Sequence, residues 1–125
     1  MAYEEHMRQE IVVSPDYIRA EMVGRRTADE TKEFVTTLLE ALRNSDVRKV
    51  LVSVKSSTAL FTVEKWDLPR ALDEMSKMGG LRVALVSDSQ DLEMAHKYVT
   101  ILAFQRGLTF KVFRAEQDAT AWLLE

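Results

Sequence analysis

Three short apolar runs, VRKVLVSV at 47–54, LRVALVSDS at 81–89 and LTFKVF at 108–113, are each separated from the next by a stretch with helical spacing. Strands that recur with a helix between them cannot pair as hairpins. Each connection must cross the sheet and return in the same direction, with the right-handed sense that twisted strands impose. That alternation confines the chain to an α/β layered fold with a largely parallel sheet.

Upstream the pattern differs. EIVVS at 10–14 and YIRAEMVG at 17–24 flank Ser14-Pro15-Asp16, a tight-turn sequence. Ile18, Ala20 and Met22 alternate with Tyr17, Arg19 and Glu21, as in a strand with one covered face. The pair reads as an antiparallel hairpin, so the five-stranded sheet is mixed.

Four segments carry helical periodicity. TADETKEFVTTLLEALRNSD has Thr27 and Glu30 at capping-box spacing, then Val35, Leu38, Leu39 and Leu42 on one face. LPRALDEMSKM aligns Leu68, Ala71, Leu72 and Met75 ahead of Gly79-Gly80 as a stop. QDLEMAHKYVTILAFQRG turns Leu92, Ala95, Val99 and Leu102 inward, and AEQDATAWLLE docks Ala119, Trp122 and Leu123. The order is ββαβαβαβα.

At 125 residues this is one domain, with residues 1–9 as a polar leader and 10–125 as the folded part. The chain has no cysteine, so disulfides and thiolate–metal sites are ruled out and a reducing cytoplasm suits it. Seventeen Lys and Arg against 20 Asp and Glu give a net charge of −3, with no basic field for nucleic acid. No apolar run approaches the roughly 18 residues of a membrane span, and MAYEEHMRQE lacks the apolar region of a signal peptide. A soluble cytoplasmic domain is expected.

Catalytic chemistry finds little support. The two histidines are His6 in the leader and His96 in the third helix. His96 falls off the 92/95/99/102 stripe, which predicts a flanking or surface imidazole rather than a base or zinc ligand. Asp29, Glu30 and Glu33 read as a solvated helical face favoured by the helix dipole. Gly79-Gly80 precede a strand, whereas phosphate-cradling glycines follow a strand and open a helix. The expectation is a non-enzyme with no catalytic residue, metal or cofactor.

In open α/β sheets, ligands gather outside the carboxyl ends of parallel strands. Here those ends are Gly24-Arg25-Arg26-Thr27, Lys55-Ser56-Ser57-Thr58, Ser87-Asp88-Ser89 and Phe113-Arg114. Each hydroxyl has two readings, a helix cap or a contact for a ligand or partner. Arg25 and Arg26 read first as solvated cations and second as contacts for a head group or partner. The following stretch, TALFTVEKW, holds Leu60, Phe61, Val63 and Trp66, too much apolar surface for a solvent loop. Pro69 belongs in a first helical turn with Asp67 as its cap, so residues 58–66 form a separate turn or short helix. That segment is either a mobile cover facing a cavity or membrane, or ordinary packing on the core.

The element order, with LRVALVSDS, FKVFRAEQDATAWL and the single Gly24 ahead of a Thr-capped helix, resembles the SpoIIAA-like domain family. That family is related to STAS domains, and the resemblance runs from about Glu10 to Leu124. It implies two kinds of function. In the anti-anti-sigma branch a serine at the start of the second helix, within Asp-Ser-Ser-Gly, is phosphorylated to control docking on a kinase. Lys55-Ser56-Ser57-Thr58 occupies that place without the acid or the glycine, so Ser56 and Ser57 are the candidate phosphoacceptors. The SpoIIAA-like branch is linked to small apolar or lipid-like ligands and to membrane surfaces. The expected function is therefore a binding module for such a ligand, with peripheral membrane contact or a homodimer compatible with it. The alternative is a regulatory protein-interaction module that switches partners. The contacts expected for either are Arg25, Arg26, Ser56, Ser57, Thr58, Leu60, Phe61, Val63, Trp66, Ser87 and Ser89.

Overall fold

Ser14 turns the chain between β1 (Arg8–Val13) and β2 (Ile18–Val23). Its hydroxyl donates to the Tyr17 carbonyl at 2.7 Å and its amide donates to the same oxygen at 3.1 Å. The strands pair antiparallel from Arg8 opposite Val23 to Val13 opposite Ile18. A computed structural model describes residues 7–59 and 68–125. Beyond the hairpin the order is α1 (Ala28–Arg43), β3 (Lys49–Lys55), α2 (Leu68–Ser76), β4 (Arg82–Ser87), α3 (Gln90–Phe104), β5 (Thr109–Phe113) and α4 (Glu116–Leu123).

The five strands lie in chain order, β1-β2-β3-β4-β5, and every pairing after the first is parallel. Three successive crossovers thus step the same way along the sheet. With one handedness they must all pass over the same face. Accordingly Phe34, Leu38 and Leu42 of α1, Leu68 and Leu72 of α2 and Leu92 of α3 share one core with Val50, Val52, Val54, Val83 and Leu85. The alternate residues Leu51, Ala84 and Val86 face the other way and meet Ala119 and Leu123 of α4.

Local chemistry fixes the ends. Thr27 caps α1 by accepting from the Glu30 amide at 3.2 Å, while Glu30 returns to the Thr27 amide at 3.1 Å, the expected capping box. At the end of α3 the Leu108 amide donates to the Ala103 carbonyl at 3.0 Å around Gly107 at φ +73°. That wrap needs a left-handed residue, which glycine adopts without strain. α4 has no side-chain cap; its first turn is held instead by Arg19 of β2, which binds Glu116 through two hydrogen bonds of 2.8 Å.

β1 begins at Arg8, two residues earlier than the pattern suggested, and Met7 lies in the core. The reason is Glu30, whose Oε2 accepts from the Met7 amide at 2.9 Å and ties the strand's start to α1. Arg8 and Gln9 carry no apolar signal, so periodicity could not reveal them.

Candidate functional site

The β2–α1 connection and the end of β3 are stitched together at the carboxyl edge of the sheet. The Gly24 amide donates to the Lys55 carbonyl at 3.0 Å, and the Arg25 amide donates to Ser57 Oγ at 3.0 Å. Ser57 Oγ in turn donates to the Lys55 carbonyl at 2.8 Å. The Thr58 amide donates to the Arg25 carbonyl at 2.9 Å, and Arg26 Nη1 reaches the Ser56 carbonyl at 2.8 Å. The Ser56 amide donates to Asp88 Oδ2 at 2.9 Å, adding the β4–α3 connection. Arg25, Arg26, Ser56, Ser57 and Thr58 therefore converge as expected from topology, and much of their polarity is spent on one another.

The other expected residues separate. Ser89 caps α3, accepting from the Leu92 amide at 3.2 Å. Ser87 is buried at the end of β4, and its hydroxyl has no hydrogen-bond partner among the described residues. Leu60, Phe61, Val63 and Trp66, and with them the cover segment after Ala59 and the Asp67 cap, lie outside the described residues.

Arg25 corrects the reading of a solvated cation. Only 7% of it is exposed. Its backbone is held on both sides by the β3 end, so the side chain turns inward beneath the connection. There Nη1 donates to Thr31 Oγ1 at 3.3 Å and Nη2 to the Thr58 carbonyl, while Nε has no partner among the described residues. Burial pushes its pKa down to about 10, against the opposing pull of Glu30, so it stays a cation at neutral pH.

His96 is the second correction. It is 7% exposed, not a surface imidazole, and its Nδ1 is unpartnered among the described residues. Leu92 and His96 stand four apart, and with Ala95 and Ala103 they make the buried face of α3. Read as 92/95/96/99/103 the sequence already contained this stripe; drawing the face through 102 rather than 103 left His96 off it. Burial first, and the nearby Arg25 charge second, push the imidazole down to about 4, so it is neutral across the physiological range.

Both residues line a cavity of about 100 Å³ between the sheet and α1–α3. Leu38 and Phe34 of α1, Ala71 and Met75 of α2, Val99 of α3, and Val52 and Leu85 of the central strands supply an apolar wall. Among the described residues the polar members of the lining are Arg25, Thr31 and His96. No His, Cys, Asp and Glu cluster suited to a metal occurs among the described residues, and no described helix is long and apolar enough to cross a membrane.

Comparison with known proteins agrees with this architecture. The family model described as SpoIIAA-like matches residues 17–124. The chain belongs to the SpoIIAA-like family. A solved structure of an uncharacterised protein with a SpoIIAA-like fold from Shewanella loihica PV-4 is similar over 98% of each chain. Its TM-score is 0.62 at 23% sequence identity, a likeness of fold. No curated protein matches the chain.

Proposed function

We propose that this protein is a non-enzymatic binding module that holds a small apolar or lipid-like ligand between its sheet and the three helices α1–α3. The observation that carries this reading is the cavity itself. Close-packed interiors leave few voids larger than a water, yet here about 100 Å³ lies inside the main core, walled by hydrocarbon from both layers. Dry apolar cavities of this order, roughly 150 Å³, accept small hydrocarbon bodies. Catalysis is disfavoured by the lining: its described residues include no carboxylate, its imidazole is neutral, and its threonine hydroxyl already accepts from Arg25.

Native mass spectrometry of freshly purified protein, before and after organic extraction, tests the proposal. A retained mass that extraction removes is the expected result. A bare chain that also fails to bind any apolar probe saturably would remove the reading.

A protein-interaction module is the second reading, favoured by one specific observation. Met94, Tyr98, Ile101 and Phe104 form an exposed stripe along α3, with Phe104 80% exposed. Large apolar patches of this kind serve as docking faces for partners. Affinity capture that depends on Phe104 but not on cavity residues would favour it.

A further inference from the structure

Arg25 is costly for a fold to bury. A guanidinium taken from water needs an opposite charge or a full set of hydrogen bonds to offset its desolvation. Arg25 makes no ion pair among the described residues, and its set of hydrogen bonds is incomplete. Two of its five N–H groups reach neutral oxygens, Thr31 Oγ1 and the Thr58 carbonyl, and Nε is left over. The nearest carboxylate that influences it, Glu30, is committed to the amides of Met7, Arg26 and Thr27. Latching Thr58 to the β2–α1 connection would need only a neutral donor such as an amide. The charge itself is therefore unspent, and it lies on the wall of a hydrocarbon cavity.

His96 repeats the pattern from another element. It comes from α3, lines the same cavity, is as buried as Arg25, and also carries an unpartnered nitrogen. Two buried polar groups on separate elements, each short of a partner and both belonging to the lining of one cavity, are complementary to something that brings acceptors. One full positive charge beside a neutral imidazole and a hydroxyl matches a single negative charge. A dianion such as a phosphate monoester would bring a second charge with nothing to meet it, whereas a planar carboxylate suits the guanidinium fork. The cavity volume leaves room for a body of a few carbons.

We infer that the ligand of this cavity is a small aliphatic monocarboxylate, its carboxylate held by Arg25 and His96 and its hydrocarbon body packed against Leu38, Val52 and Leu85. This rests on the binding-module reading and adds the chemistry of the ligand's head. Arg25, the charged end of the site, follows β2 at the carboxyl edge of the parallel strands, where an open α/β sheet places its ligands.

Calorimetric titration of the full chain with straight-chain carboxylates from butanoate to decanoate, and with the alcohols and amines of equal length, tests it. The best carboxylate should bind roughly tenfold or more tighter than its alcohol, the difference expected of a charge-assisted contact, and the amine should not bind. Arg25→Gln should abolish that preference while leaving alcohol binding in place, and Arg25→Lys should restore part of it. Circular dichroism confirms that each variant is folded. Should both Arg25 variants unfold, the wild-type His96 resonance decides: its titration should move upward on saturation with the carboxylate but not with the alcohol. Alcohols binding as tightly as carboxylates would overturn the head-group assignment and leave the apolar module standing. Failure of every carboxylate and alcohol to bind would overturn both.

Discussion

Arg19 on β2 holds Glu116 in the first turn of α4 through paired hydrogen bonds, Nε to Oε2 and Nη2 to Oε1, each 2.8 Å long. The two residues are 97 positions apart, and their contact clamps the C-terminal helix to the sheet face opposite the cavity. Glu21 joins at 2.9 Å from Arg19 and Lys55 at 3.1 Å from Glu21, so the guanidinium is shared between two carboxylates. Hydrogen bonding to Glu116 is the leading cause of a raised Arg19 pKa. A double-mutant cycle with Arg19→Met and Glu116→Gln should give a coupling of about 1 kcal/mol. The figure is held down because both side chains remain partly solvated. Denaturant unfolding in low and ~1 M salt checks it; coupling that does not shrink in salt contradicts a screened pair.

Glu30 fixes the first turn of α1 on the opposite face of the sheet. Its carboxylate collects the Arg26 amide at 2.7 Å, the Thr27 amide at 3.1 Å and the Met7 amide at 2.9 Å. These bonds, that from Arg26 foremost, hold its pKa below the ordinary carboxylate value of 4.5. A lowered folded pKa means stability fully present above about 4.5 and lost as pH falls through the folded value. Glu30→Ala should cost about 1–2 kcal/mol at neutral pH, the usual range for removing a cap, and should shrink that acid-side loss. Hydrogen exchange at Met7 and Arg26 should accelerate in the variant. Unchanged protection at Met7 would separate β1 from the cap.

Ser56 and Ser57 should behave differently despite adjoining one another. Ser56 is exposed and sits at φ +50°, a left-handed conformation that costs a residue with a Cβ about 1 kcal/mol or more. Ser56→Gly should therefore be neutral to stabilising by about 0.5 kcal/mol once glycine's own entropy is counted. Ser57→Ala leaves the Arg25 amide without its acceptor and should cost about 1–2 kcal/mol. Phosphorylation of Ser57 would break the same bond between the β2–α1 connection and β3, whereas Ser56 Oγ makes no such contact among the described residues. Thermal melts of the two variants distinguish them, and equal shifts would contradict the assignment.

The sequence was most legible where burial follows period. Ile18, Ala20 and Met22 are buried in alternation, and helices recurring between β-branched runs forced the parallel order. Turn and cap chemistry at Ser14 and Thr27 also showed directly. What stayed hidden was polar burial. Arg25 and His96 are placed inside by tertiary context, the one because its backbone is pinned to Ser57 and Thr58, the other because helical geometry stacks it above Leu92. Hydropathy assigns both to solvent, and no local signal reports a cavity, which is a property of how α1–α3 meet the sheet. Arg25 and His96, both read as surface groups, supply polar wall to the cavity, whereas Arg26, Ser56, Ser57 and Thr58 meet at the strand ends without lining it.

His96 offers the sharpest test of that wall. A buried imidazole held near 4 against an ordinary 6.5 means the unfolded chain binds a proton that the folded one refuses. Stability from this residue is thus complete above about 6.5 and is lost as pH falls towards 4, by on the order of 3 kcal/mol at most. Arg25 is the charged group sharing the cavity, and no carboxylate is present among the described lining residues to favour the imidazolium. Replacing the ring with a similar volume of hydrocarbon, His96→Leu, removes both the titration and an unpartnered nitrogen. The variant should be at least as stable as wild type at pH 7 and clearly more stable near pH 5, so the difference between the two chains should widen steadily through that range. Urea unfolding at several pH values measures it, and subtracting the two profiles cancels the carboxylates that titrate in both. A difference that stays flat with pH would mean that His96 is reached by water and already ionises in the folded state.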